Sequence, residues 1–401
     1  MKGEYLKANA ILFLALLGSG LTTALLSVYL AEKGISLANI GLIFAIGAII
    51  AGLLRVPIGV ITDQLGRKKF MLFGAFGYPI FAIGLIYANT VSHYIVLDIV
   101  LELFGAIFWT AYSAYFFNIL TKGKEGLELG GRNITLYVTS AIAPFLAGII
   151  ATNFGFANLF IAGAAISASA IIVALTAKDH DYDNFLLYAK IKQEYENILK
   201  IKGLGWIAAM IFLVDFIFVF WAVFMPIYLQ ESGISLEAIG TILSINIFIG
   251  ALLQIPLGKA IDKLPVKTIV IPGFLLFWFG GTMFFIFKNY FSYLINRVII
   301  GIGSDMAYWP AVGMLAKLTP KAEQGGAIAL IFGLSTAIKG IGSIIGGSLT
   351  QIYGIPIVLI AVSMLSLVAT IFFIPSKLLR KKGTQFHKMH HIRAVHTRHH
   401  K

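Results

Sequence analysis

Seven ionisable side chains interrupt stretches that are otherwise apolar: Arg55, Asp98, Glu102, Asp215, Arg297, Asp305 and Lys339. A charge at the centre of a lipid-embedded helix costs roughly 2.5–3.5 kcal/mol, so seven unpaired ones would cost on the order of 20 kcal/mol. They are therefore expected to face one another or a wet cavity. Asp98 and Glu102 stand four residues apart and share one helix face, with Trp109 and Tyr112 near it. Two neighbouring carboxylates in a low dielectric repel, which favours a proton on one of them. That chemistry suits proton coupling through Asp98 and Glu102; static pairing with Arg297 and Lys339 is the alternative. Asp215, Arg297 and Asp305 are candidates to contact or gate a substrate. Tyr308 and Trp309 beside Asp305 are placed to stack on it, or to serve only in packing between helices. Trp109, Tyr112 and Lys339 complete the candidate cavity.

The elements that hold these residues follow from composition. The 401 residues are 59% hydrophobic and 12% charged, too apolar for a soluble chain of this length. A bilayer core about 30 Å thick takes about 20 apolar helical residues. Twelve such segments lie near 9–31, 38–62, 70–89, 93–120, 130–153, 156–177, 204–229, 237–261, 268–287, 291–317, 325–352 and 355–376. Lipid leaves backbone groups no outside partner, so these must be helices; the alternating strands of about 10 residues that build a β-barrel do not appear. The first segment is too long for a signal peptide and has no small-residue cleavage site, so it is read as retained. There is no cysteine and hence no disulfide. With the N-terminus cytoplasmic, nearly all Lys and Arg outside the spans fall on the cytoplasmic side, leaving Lys33 and Lys288 opposite. A multi-pass protein of the cell membrane with both termini inside is expected. The net charge of +13 then reports topology and contact with lipid headgroups rather than nucleic acid.

The chain also repeats itself. Pro57, Gly59 and Asp63 recur 199 residues later as Pro256, Gly258 and Asp262, and the same offset relates Tyr29 to Tyr228, Gly34 to Gly233 and Gly148 to Gly347. One register over this length predicts duplication into two six-helix halves of the same orientation, 1–177 and 204–378. Residues 178–203 join them. Tyr188, Ile191, Tyr195 and Ile198 recur there at helical spacing between lysines, which predicts an amphipathic surface helix or a plain linker. The basic tail 379–401 carries scattered histidines and is read as a disordered, surface-associated segment rather than a metal site.

The loop Gly59-x-x-x-Asp63-x-x-Gly66-Arg67-Lys68, set after the second span, resembles the signature loop of the major facilitator superfamily of membrane transporters. The resemblance covers nearly all of residues 1–378. It implies an all-α membrane protein of twelve transmembrane helices in two pseudo-symmetric six-helix bundles. Spans 1, 4, 7 and 10 would line a central cavity, and the halves would rock in alternating access. Five of the seven charges fall on spans 4, 7 and 10. Gly59, Asp63, Gly66 and Arg67, with Gly258 and Asp262, would form a cytoplasmic gate. Asp63 would meet the start of span 11 near Glu323 to Gly326, a contact gaining about 0.3–1 kcal/mol, and Gly59 would let spans 2 and 11 approach. By symmetry Asp262 would face the start of span 5. Ala143-Pro144-Phe145-Leu146-Ala147-Gly148 resembles a degenerate Gly-Pro-x-x-Gly-Gly element of drug-efflux antiporters. Pro144 and Gly148, with Gly342 and Gly346 in span 11, would serve helix kinking and packing.

One departure stands out. The Arg-x-x-x-Gly-x-Gly pattern that such transporters often carry in span 4 stands here in span 10, as Arg297, Gly301 and Gly303; Asp98 and Glu102 hold the matching places in span 4. The leading reading is proton-coupled export of a small organic or drug-like molecule by a monomer, with protons and the bilayer as its other partners. Proton-coupled uptake of a sugar or of an organic anion held by Arg297 and Lys339 is a second reading. A non-transporting receptor or scaffold is a third. No zinc-ligand constellation, nucleophile elbow or phosphate loop is present, so no enzyme, metal or cofactor is expected.

Overall fold

In lipid a backbone amide finds its partner within its own helix, and the described residues are helical almost throughout. The computed structural model describes residues 2–121, 123–178, 196, 198–201, 203–320 and 324–373, without the side chains of Lys2, Val60, Asp63, Gln64 and Leu65. The expected linker helix falls almost wholly outside the described residues, and the tail 379–401 wholly so. The helices are α1 (Lys2–Thr23), α2 (Leu26–Glu32), α3 (Leu37–Leu65), α4 (Arg67–Tyr87), α5 (Val91–Asn118), α6 (Glu125–Leu175), α7 (Leu204–Glu231), α8 (Leu236–Lys263), α9 (Lys267–Met283), α10 (Tyr290–Leu318), α11 (Gln324–Tyr353) and α12 (Ile355–Phe373).

Among the described residues ten helical runs are long and apolar enough to cross a membrane, and α9 is a shorter apolar helix of 17 residues. Two differences from the predicted spans have local causes. The first span breaks into α1 and α2 between Thr23 and Leu26. The fifth and sixth spans form the continuous 51-residue run α6, which turns at Gly155 (φ 79°, ψ 168°), a backbone region essentially open to glycine alone. Gly66 (φ 107°) makes the corresponding tight joint between α3 and α4.

The repeat is visible in the caps. Ser36 Oγ accepts from Asn39 N–H and Ser235 Oγ from Ala238 N–H, at 3.4 and 3.3 Å. Thr90 Oγ1 accepts from His93 N–H and Asn289 Oδ1 from Ser292 N–H, at 3.3 and 3.0 Å. Each pair is separated by the same 199 residues, and each supplies an acceptor that a helix N-terminus otherwise lacks.

Two seams join the halves of the chain: α3 against α11, and α6 against α8. Both depend on absent side chains. A Cβ on Gly52 would lie 2.6 Å from Gly333 O, one on Gly340 2.7 Å from Ala45 O, and one on Gly347 2.6 Å from Leu37 O. On the other seam a Cβ on Gly148 would lie 2.6 Å from Leu236 O, and one on Gly240 would overlap Pro144 O. Polar contacts close the end that carries Glu32: Leu37 N–H donates to Gln351 Oε1 at 3.0 Å, and Gln230 Nε2 donates to Glu32 Oε1.

The opposite end, which carries Gly66, differs. One apolar core near Glu32 draws on both halves, with Tyr29, Phe160, Phe220, Trp221 and Tyr293 among its members. Toward Gly66 the cores among the described residues are separate: one built from residues 8–177, one from 198–373, and a small one of Leu257, Ile261 and Ile269. Gly59 does not bring α3 and α11 together as expected: a Cβ there would meet Thr110 Cγ2 of α5 at 3.8 Å, and one on Gly258 would meet nothing within 4 Å. The close approaches run instead from Gly41 to Gly52 along α3 and from Gly347 to Gly333 along α11.

Seam glycines and open glycines should therefore respond differently to substitution. Gly340→Leu is expected to lower stability by about 1–3 kcal/mol through overpacking. Gly258→Ala should leave it unchanged or raise it by up to about 1 kcal/mol through helix propensity. Thermal unfolding of both variants in detergent checks this.

Candidate functional site

Asp98 and Glu102 project from α5 toward the α3–α11 seam. Asp98 is 2% exposed, and its Oδ2 has no hydrogen-bond partner among the described residues. It fits against α3 because Gly47 has no side chain there; a Cβ on Gly47 would strike the Asp98 carboxylate and lie 2.7 Å from its carbonyl oxygen. Glu102, half-buried, attracts Lys339 of α11 and Arg55 of α3. The Arg55 stem crosses the seam where α11 is bare: a Cβ on Gly333 would lie 3.4 Å from Arg55 Cβ. Tyr308 of α10 lies near both Arg55 and Asp215 of α7. A line of polar side chains thus runs from the acids of the first half, through the neutral Tyr308 phenol, to those of the second.

Beside that line lies a cavity of about 250 Å³. Asp215, Asp305, Tyr308 and Trp309 all line it, so four of the residues singled out in the sequence meet at one place. Trp309 Nε1 donates to Asp305 Oδ1 at 3.2 Å, one turn away on α10. Gly250 of α8 makes room for the other oxygen, since a Cβ there would lie 2.6 Å from Asp305 Oδ2. Asp215 is 8% exposed and accepts from Ser335 Oγ of α11. Tyr308 and Trp309 pack edge to face, centroids 5.5 Å apart. Phe218, Asn246 and Ser304 complete much of the wall, and Tyr137 reaches it from α6 in the first half. Asn246 and Ser304 were detectable as polar residues inside apolar runs. Nothing in the sequence around Tyr137 marks it.

Other candidates lie elsewhere. Tyr112 is 0% exposed and stacks on Phe108, centroids 5.7 Å apart, with the Arg132 guanidinium 5.5 Å from its ring centre. Trp109 packs edge-on against it at 6.3 Å. These two belong to the first half's core and not to the cavity wall. The helical period put them near the face of Glu102, but the aromatic neighbours of α4 and α5 take them up. Arg297 is 3% exposed and sits over the Phe218 ring, 5.6 Å from its centre; its Nε and Nη1 have no hydrogen-bond partner among the described residues. Of the alternative static pairing with the acids of α5, Arg297 takes no part, whereas Lys339 does face Glu102.

At the Gly66 end, Asp262 does not face the start of the fifth span. Lys317 Nζ of α10, in its own half, binds Asp262 Oδ1 at 2.5 Å. Arg67 Nη1 donates to Ala114 O at 3.3 Å. The Asp63 side chain lies outside the described residues, as does Glu323. Gly342 and Gly346 face Phe216, Val219, Phe220 and Phe224 of α7, while Gly148 faces α8. Among the described residues no group of His, Cys, Asp or Glu could hold a metal.

Comparison with known proteins agrees with this geometry. The sequence model of the Major Facilitator Superfamily matches residues 9–239 and 207–393. An uncharacterized MFS-type transporter of Methanocaldococcus jannaschii is 25% identical over 86% of this chain and 90% of its own. The multi-drug resistance efflux pump PmrA of Streptococcus pneumoniae is 23% identical over 76% of this chain and 77% of its own. The crystal structure of the nucleoside transporter NupG superposes with a TM-score of 0.78 at 15% identity, covering 92% of this chain and 98% of that one.

The Glu102–Lys339 attraction is testable by a double-mutant cycle. Glu102→Gln and Lys339→Met should each lower the thermal stability of the purified protein. The double variant should lose less than the two together, by about 0.5–3 kcal/mol. Strict additivity would show that the two charges act independently.

Proposed function

This chain belongs to the major facilitator superfamily, and from that premise we propose that it is a proton-coupled exporter of a small organic molecule, acting as a monomer. Members of the superfamily are transporters, not enzymes. The observation that carries the reading is the placement of Glu102 opposite Arg55 and Lys339 on the seam between the halves, with the cavity acids beyond Tyr308. In this account twelve crossings form two six-helix bundles, 1–177 and 204–378. Both termini, the linker 178–203 and the tail 379–401 are cytoplasmic, which makes the Glu32 end external. The shared core and polar contacts at that end, against separate cores at the other, fit a state closed to the outside and open to the cytoplasm.

The coupling follows from electrostatics. While Glu102 is ionised it holds Arg55 and Lys339 at the seam. A proton on Glu102, or shared with Asp98, leaves both cations without their acid. Arg55 then turns to the Tyr308 hydroxyl, which lies beside Asp215. The cavity acids feel the proton without meeting it, and proton and substrate compete. Asp215 and Asp305 among Phe218, Tyr308 and Trp309 suit a positively charged group on an amphipathic molecule. Export is favoured over uptake by the relative named as a multidrug efflux pump and by the degenerate efflux element at Pro144. Asp63, Gly66 and Arg67, with Gly59, Gly258 and Asp262, form the cytoplasmic gate. Asp262 is held by Lys317 within its own half.

Purified protein in proteoliposomes tests this with a fluorescent aromatic cation and an imposed pH gradient. The wild type should move the cation against the proton flow, accumulating it in vesicles whose interior is the more acidic. Asp98→Asn with Glu102→Gln should lose gradient-driven accumulation but keep exchange of labelled for unlabelled cation. Asp305→Asn should raise the half-saturating concentration about tenfold, or ~1.4 kcal/mol. If the double variant transports with wild-type rate and gradient dependence, the proton assignment is wrong. Binding without any exchange in the wild type would point to a receptor.

A further inference from the structure

The two halves carry different residues at equivalent places. At the 199-residue offset Asp98 corresponds to Arg297, Glu102 to Gly301 and Gly47 to Asn246. In the first half the glycine is on α3, and the acids of α5 use the space it leaves. In the second half the glycine is on α10, and Asn246 of α8 occupies the space that a Cβ on Gly301 would fill. Where the first half has a buried and a half-buried acid, the second has a buried guanidinium and a half-buried amide.

Those second-half groups are not satisfied. Arg297 is 3% exposed with Nε and Nη1 unpartnered, and Asn246 Oδ1 is unpartnered as well, among the described residues. The Phe218 face, 5.6 Å from the guanidinium, offers no hydrogen-bond acceptor. A buried guanidinium with open donors calls for an anion, and its planar fork matches a carboxylate best. Turning the Asn246 amide end for end presents its NH₂ at the same place. Phe218, Asn246 and Gly301 all line the cavity, so the guanidinium is one side chain removed from it.

We propose that Arg297 and Asn246 form a seat for a carboxylate carried by the transported molecule, which is therefore two-ended. Its positive group lies at Asp215 and Asp305, and its carboxylate lies one to two helical turns away, ~6–12 Å along the helix. This rests on the cavity being the substrate site. The first half's acids take the proton and the second half's Arg–Asn pair takes the substrate's negative end, so duplication has divided one ancestral position between two tasks.

Three probes test it on the purified full chain by calorimetric titration: 4-(aminomethyl)phenylacetate, benzylamine and phenylacetate. The two-ended probe should bind at least tenfold tighter than benzylamine. Arg297→Met should bring that ratio to about one, while Arg297→Lys should keep part of it; a purely structural role would weaken both amines alike and would overturn the proposal. An equal ratio in the wild type would overturn it too. So would chloride, at the same Arg297, raising benzylamine affinity to that of the two-ended probe, since the seat would then hold a free ion. Asp305→Asn should weaken both amines. If neither amine binds the wild type, or Asp305→Asn changes neither, the cavity itself is not the site and the seat falls with it.

Discussion

A charge in a low-dielectric interior must have a partner, a proton or water. This constraint organises the centre of the molecule. Glu102 is tolerable there because Arg55 and Lys339 approach it from two other helices, one from each half of the chain. The same constraint makes the arrangement responsive. Neutralising one acid leaves two cations to be satisfied elsewhere, and the groups within their reach line the cavity. Asp98, with one oxygen unpartnered, and Arg297, with two nitrogens unpartnered, are places where the requirement is left open. Such open requirements are what protons and ligands fill.

The seam is the mechanical counterpart. Arg55 of α3 and Lys339 of α11 both approach Glu102 beside a seam where glycines let the backbones come together, from Gly41 to Gly52 on one helix and Gly347 to Gly333 on the other. Backbone contact is rigid and all-or-none, which suits two packed states better than a graded one. A shared apolar core clasps the Glu32 end, while the cores at the Gly66 end stay apart. Lys339, across the seam from Glu102, is the cation whose distance to that acid depends on the separation of the helices.

Much of this was legible in the sequence because it was written in spacing. The 199-residue offset and the acids and aromatics of spans 7 and 10 are matters of residue type and period. What spacing could not supply is which neighbour receives a given face. Tyr112 shares a face with Glu102 by period, yet the aromatic packing of α4 and α5 encloses it. Asp262 has its symmetry mate in Asp63, but Lys317 has only Asn118 at the equivalent place, so the two loops are not held alike. Tyr137 enters the cavity from the other half, a contact that no local pattern encodes. The break inside α6 was marked by Gly155, though the continuity of helix on either side of it was not.

The central claim is that protonation of the α5 acids moves the seam, and it can be tested without knowing the substrate. The chain has no cysteine, so spin labels can be placed by Lys33→Cys with Tyr353→Cys at one end and Lys69→Cys with Gly325→Cys at the other. Distances between labels in each pair are then followed by pulsed electron resonance as pH is lowered. The account predicts that the two distances change in opposite directions in the wild type, and that neither changes once Asp98→Asn and Glu102→Gln are introduced. Distances that ignore pH in the wild type, or that shift equally in the neutralised variant, would contradict it.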